Sequence, residues 1–307
     1  MPAIITHHIF GEDASALLPD GILCGPEDLL AFLLGNQGAD PLWARVRALP
    51  KHAHACHELA TRMHTGNVVE VLITLRNSVA CLKDDERSIG RAFALGMAGH
   101  YLLDSMTHPL ILAQQEELIC VDPSLAAARS EVHAVIESDL DSWVLWEMRN
   151  QTVLDAPSTS ALMRTEQIDR VAGAMVSQMA WEVFHIELGA DEYGRAVQDY
   201  QLFYRAIDPP SSRLLNTLSS VELLVRANSR LRAQAHVITT SSSCASANLE
   251  HRLWRNPATQ EASTASFPDL FHDALFAWPE FSKSLVLGNE ERLQAMVAGI
   301  NYYGEPA

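Results

Sequence analysis

Three polar side chains, His100, Asp104 and His108, recur every fourth residue in the otherwise apolar stretch AGHYLLDSMTHP at 98–109. Four residues advance an α-helix by about 400°, so each step turns only about 40° around the axis and the groups share a face. A second pair, His133 and Glu137, repeats the same step farther along. Imidazole nitrogen and carboxylate oxygen are the ligand set of catalytic zinc, and such pairs on neighbouring helices are what a metal site inside a bundle requires. An isolated pair on an exposed helix is an ordinary salt bridge. Two pairs inside apolar helices would leave charge buried without compensation, and a cation resolves that conflict.

Other segments offer matching ligands. Nine of the thirteen histidines lie in the first 133 residues, and His7, Asp40 and His64 come from separate segments with usable ligand types. Together with His100, Asp104, His108, His133 and Glu137 they exceed one tetrahedral site. The set therefore points to two or three ions, with Asp104 as the natural bridge between His100 and His108. His52, His54 and His57 read as one polar helix face, and His185, His236 and His272 as ordinary packing. Cys56 reads as a small core residue.

The elements that must position these residues are helical throughout. Thr6 serves as N-cap of a first helix ending near Leu18, and Pro26 opens a second that breaks at Gly35. The loop GNQGADP at 35–41 holds Asp40 just before Pro41, followed by a short helix over Leu42–Leu49. A helical segment from His52 to Leu82 breaks near Gly66. The central helix runs from Asp85 to Met106, and Pro109 disfavours helical backbone at His108, which places that histidine at the helix end. Gly90, Gly96 and Gly99 each cost roughly 1 kcal/mol against alanine in an exposed helix, which fits a close approach by another backbone or a ligand. Further helices are expected over Asp122–Asn150, Ser160–His185, Asp191–Ile207, Ser211–His236, from Ser266 onward and over Asn289–Ala298. There are no repeats, no alternating strands, no GxGxxG and no P-loop. The fold class is all-α.

Composition narrows the setting. The chain has 307 residues, 48% hydrophobic and 20% charged, which allows one large core. A formal charge of −16 argues against a standing nucleic-acid or anionic-membrane partner and suits cation binding. Five cysteines without a CxxC favour reduced thiols in the cytoplasm over a disulfide framework. The start MPAIITHHIF has no signal-peptide pattern, and no apolar run is long enough for a transmembrane helix.

At its candidate ligands the sequence resembles the prokaryotic zinc-dependent phospholipase C family. The matching stretches are THHIFGEDA (6–14), GNQGADP (35–41), MH (63–64), GHYLLDSMTHP (99–109) and HAVIE (133–137). WRNPATQ and SFPDLF, within 254–271, look like the C-terminal signature of the intracellular branch of that family. The resemblance implies one all-α domain over 1–307, a multi-helix bundle with a polynuclear metal cleft, phospholipase C/P1 nuclease-like. Its metal-binding half is about 1–150 and a C-terminal helical half follows. It further implies that Asp40, His64, His100 and Asp104 hold one zinc, that His108, His133 and Glu137 hold a second, and that His7 with Asp104 holds a third. The secreted enzymes also use the amino group of a processed N-terminal tryptophan, where this chain begins Met-Pro.

The expected activity is zinc-dependent phosphodiester hydrolysis, phospholipase C-like, with metal-bound hydroxide as nucleophile. Asp40 would be a ligand with a second role, orienting or deprotonating the water. The substrate would be a phospholipid or another small phosphodiester, with at most transient membrane contact. A nuclease or nucleotidase of the related trinuclear fold and a non-catalytic metal-binding structural protein are the alternatives. No GxSxG elbow supports a covalent hydrolase.

Overall fold

A computed structural model describes residues 3–210, 212–224 and 226–307. Helix makes up 68% of the structure and strand 2%, which places the chain in the all-α class. The helices are α1 (Ile4–Ser15), α2 (Pro26–Gly35), α3 (Asp40–Trp43), α4 (Pro50–Thr65), α5 (Val68–Ser78), α6 (Arg87–Val121) and α7 (Arg129–Arg149). There follow α8 (Glu166–Phe184), α9 (Glu192–Ile207), α10 (Ser212–Glu222), α11 (Arg230–Ala233), α12 (Phe267–Leu287) and α13 (Glu290–Val297). A two-residue antiparallel ladder pairs Trp254–Arg255 with Ala262–Ser263.

Local chemistry accounts for many of the ends. Pro26 sits in the first turn of α2, followed by Glu27 and Asp28, whose charges suit a helix N-terminus. The Thr165 hydroxyl accepts from Ile168 N at 3.2 Å to cap α8, and Asn289 Oδ1 accepts from Arg292 N at 3.0 Å to cap α13. The expected break at Gly66 is present, with Asn67 left-handed at φ 58° between α4 and α5.

Three expectations from local sequence are corrected. Helix α6 does not stop before His108 but runs through Pro109 to Val121. An interior proline costs about 3 kcal/mol. Leu110 and Ile111 are buried on its far side, and full burial of such side chains contributes about 1.5–3 kcal/mol each, enough to offset it. Thr6 does not cap α1, which already begins at Ile4. The Asp141 carboxylate does so from far along the chain, accepting from Ile5 N at 3.0 Å and Thr6 N at 2.8 Å. The single helix expected over Ser211–His236 is instead α10 and the short α11, and Ser211 lies outside the described residues. Glu222 turns back there to accept from Ser229 Oγ and from the backbone of Arg230 and Leu231, at 2.7–3.2 Å.

The chain divides into two compact units interleaved in sequence. The first comprises Met1–Thr6, Thr107–Ala161 and Leu202–Phe271, and the second His7–Met106, Leu162–Gln201 and His272–Ala307. In the second unit α5 packs on α4, α8 and α13, and α2 crosses α6 at Gly35 and Gly96. A Cβ on Gly96 would collide with the Phe32 carbonyl and lie 2.7 Å from Gly35 Cα, so backbone meets backbone there. The Trp278 indole, fully buried, donates to Ala14 O at 3.0 Å.

In the first unit α7 packs against α11, and Asp141 of α7 belongs to a buried charged knot. Buried His236 lies between Asp141 (Nε2–Oδ2 2.9 Å) and Asp208 (Nδ1–Oδ2 3.0 Å), with Ser158 also on Asp208. Ordinary packing, expected for His236, is therefore corrected to a buried ionic network. Burial alone would lower its pKa, but the two carboxylates raise it to about 10. A histidine whose pKa rises on folding contributes stability that is complete below its unfolded value near 6.5 and lost as pH climbs towards 10. Urea unfolding should accordingly show a loss of about 3–5 kcal/mol between pH 6.5 and 10. The slope should flatten in His236→Gln, and an unchanged slope would show that His236 is not the linked group.

Candidate metal centres

Helix α6 brings His100 and Asp104 onto one face, where His100 Nε2 lies 3.3 Å from Asp104 Oδ2. Helix α1 adds His7, whose Nε2 is 3.0 Å from Asp104 Oδ1. Helix α4 contributes His64 near its C-terminal end, and α3 contributes Asp40, with His64 Nε2 3.2 Å from Asp40 Oδ1. Asp40 thus opens a short helical turn, where a loop followed by a helix over Leu42–Leu49 was expected. Two trios result, His7–His100–Asp104 and Asp40–His64–His100, each with its donor atoms within 4.8 Å of one another. They share His100, and all five residues are at most 5% exposed.

The first unit holds a third trio. His133 and Glu137 lie on α7 with Nε2 3.1 Å from Oε1, and His108, from α6, points its Nε2 to the same oxygen at 3.5 Å. The two imidazoles stack at 5.5 Å. All eight residues selected from sequence therefore fall in trios that could hold metal ions, two trios in one unit and one in the other.

The hydrogen bonds on the far side of the rings determine what these atoms can do. His100 Nδ1 lies 3.0 Å from Asn36 O, His64 Nδ1 lies 2.8 Å from Ala60 O, and His133 Nδ1 lies 3.0 Å from Gln115 Oε1. A carbonyl oxygen only accepts, so each Nδ1 carries the proton and a neutral ring presents a bare Nε2. That bare nitrogen then faces a carboxylate oxygen at 3.1–3.3 Å, lone pair against lone pair. Either the ring takes a second proton or a cation lies between them. Two ligands of one tetrahedral zinc at about 2.1 Å stand about 3.4 Å apart, close to the spacing seen.

For His100 the second proton is disfavoured. Burial, reinforced by the neighbouring His7, pushes its pKa down to about 4. Its Nε2 makes no hydrogen bond, and neither does Asp40 Oδ1. Burial works to raise the Asp40 pKa, but the facing His64 and His100 help to hold it below the usual carboxylate range, so the carboxylate stays ionised. Burial opposes ionisation of Glu137 too, and His133 and His108 hold its carboxyl well below the usual range. A neutral imidazole beside an ionised carboxylate, both with an orphaned buried atom, is a donor set that fits a divalent transition metal.

Several supporting residues carry no signal of their own in the sequence. Gly38 is left-handed at φ 58°, and a Cβ on it would enter the His100 ring. The Tyr193 hydroxyl donates to Gly38 O at 2.9 Å and fixes that turn. Tyr302 packs 4.9 Å from the His64 ring and 5.7 Å from His100, its backbone N donates to His64 O at 3.2 Å, and its buried hydroxyl has no hydrogen-bond partner. Gln115 could have been found, since it stands seven residues beyond His108 on the same helix. By contrast, exposed His54 and His52 stay outside the trios: His54 lies 3.8 Å from Glu58, and His52 Nδ1 lies 2.8 Å from Glu192 Oε1. Buried Cys56 is a free thiol pushed up to about 12 by burial. No helix among the described residues is long and apolar enough to cross a membrane.

No family model, no curated protein and no solved structure matches this chain.

Two outcomes follow from this geometry. Gly38→Ala, by displacing the His100 ring, should weaken zinc binding at least tenfold in a competition titration while the far-ultraviolet spectrum remains helical; unchanged affinity would remove His100 from the centre. His100 takes up a proton less readily folded than unfolded, so metal-free protein should lose stability as pH falls from about 6.5 to 4, by on the order of 3 kcal/mol. Urea titrations at pH 7 and 4.5 measure this, and equal stabilities would contradict a buried neutral His100.

Proposed function

We propose that the chain is a zinc-dependent phosphoric diester hydrolase, phospholipase C-like, whose metals are held by the three trios. The observation that carries the metal reading is the set of Nδ1-anchored imidazoles facing buried carboxylates across 3.1–3.3 Å. The step from metal to hydrolase is supported by the resemblance of these motifs to the phospholipase C family and by the hard and borderline ligand set. When bound, zinc would supply Lewis acidity towards phosphoryl oxygens and lower the pKa of a water to about 7.

The chain's own residues have defined tasks in this reading. His100, held neutral by burial, keeps its coordinating lone pair down to acidic pH. Asp40 remains a carboxylate, and its Oδ1, buried without a hydrogen bond, would serve as a metal ligand and as an acceptor that orients a water rather than as a strong base. Gly38 and Asn36 hold His100 in the required tautomer and orientation, which limits reorganisation during turnover. The net charge of −16 disfavours long nucleic acids and leaves a phospholipid or another small phosphodiester as substrate.

One observation favours a second reading. The five ligands of the second unit, at most 5% exposed, suit a closed structural metal site as well as a catalytic one. Metal analysis followed by assays separates the readings. Fewer than one transition metal per chain would remove both. With metal present, zinc-dependent turnover of a short-chain phosphatidylcholine, abolished in Asp104→Asn, is the expected result. Turnover of nucleotides alone would shift the assignment to a nucleotidase. Full occupancy with no turnover of lipid, nucleotide or nitrophenyl diester would establish the structural role.

A further inference from the structure

Arg76 on α5 and Arg87 and Arg91 on α6 line one cavity of about 560 Å³ in the second unit. Its inner wall is apolar, with Leu95 and Leu285 each 1% exposed. The clustering is unexpected in a chain with 22 basic against 38 acidic residues. Arg87 and Arg91 are four apart on one helix, a like-charge spacing that costs a few tenths of a kcal/mol. Of the three, Arg87 alone has a carboxylate partner among the described residues, Asp84 at 2.8 Å. Arg91 has no ion pair at all there.

Arg76 is held in place. Its Nη1 donates to Asn77 Oδ1 at 2.9 Å, and its guanidinium packs so closely on the left-handed turn at Gly288 that a Cβ there would lie 2.6 Å from Cζ. A guanidinium braced in this way keeps its remaining N–H donors for a ligand and loses little freedom on binding. We infer that this cavity is a binding site for a phosphoryl anion, carried by a small phosphate ester or by a lipid headgroup. Three arginine forks match the oxygens and the charge of a phosphate better than those of a single carboxylate, and the volume suits a small molecule with an apolar portion against Leu95 and Leu285. The inference uses none of the metal ligands and stands apart from the hydrolase reading.

The test is calorimetric titration with inorganic phosphate and glycerol 3-phosphate, beside sedimentation with phosphatidylserine-containing and pure phosphatidylcholine vesicles. Each is run on protein as purified and after chelator has been applied and dialysed away. The expected result is saturable, salt-sensitive binding that survives metal removal and weakens at least tenfold in the Arg76→Gln/Arg91→Gln double variant. Ala80→Glu, which puts a carboxylate at the cavity rim, should do the same, and thermal melts confirm that both variants fold. Binding of glycerol 3-phosphate identifies a soluble ester, and binding of phosphatidylserine vesicles alone identifies a headgroup. Binding that disappears on metal removal, that is unchanged in both variants, or that is absent for every probe overturns the inference.

Discussion

An imidazole held by its Nδ1 proton and turned towards a buried carboxylate is the constraint on which both candidate centres depend. It appears at His64, His100 and His133, with a carbonyl oxygen behind each ring. In water such an arrangement would relax by rotating the ring or hydrating the carboxylate. Inside a packed bundle neither is available, because the side chains lie at helix crossings and water has little access. The electrostatic conflict is therefore retained by the fold, and a divalent cation is the species that relieves it with least rearrangement.

The rest of the second unit can be understood as what keeps that conflict in place. Glycine at 35 and 96 lets α2 and α6 approach backbone to backbone, which brings the Asn36 carbonyl to His100. The left-handed Gly38 then leaves room for the imidazole, and Tyr193 ties the turn down. Tyr302, from the C-terminal segment, covers His64 and His100 with a ring whose hydroxyl has no partner. In the first unit, besides the His108–His133–Glu137 trio, a second buried charge cluster is resolved differently. At His236 a proton, not a metal, sits between the carboxylates of Asp141 and Asp208, and the raised pKa records how firmly it is held.

These two solutions show why similar residues serve different ends. His236 faces one carboxylate on each ring nitrogen, so both nitrogens must carry protons and none is left to coordinate. His100 faces a carbonyl on one side and a carboxylate on the other, which leaves one nitrogen bare. Histidine count and spacing do not distinguish these cases. The identity of the acceptor behind the ring does.

The sequence by itself determined the helical class and the candidate ligands, because both are properties of short-range spacing. Steps of four residues put His100 with Asp104 and His133 with Glu137 whatever the tertiary fold, and Gly66 breaks a helix for reasons local to the backbone. What depended on partners distant in sequence was not legible. Asp141 caps α1 across more than a hundred residues, and Pro109 stays helical because residues on both sides are buried, so the local signals at Thr6 and Pro109 were misleading. The braces at Gly38, Tyr193 and Tyr302 likewise have no periodic signature. Only the tertiary structure decided which ring nitrogen is protonated, since that depends on which oxygen the packing brings to the far side of each imidazole.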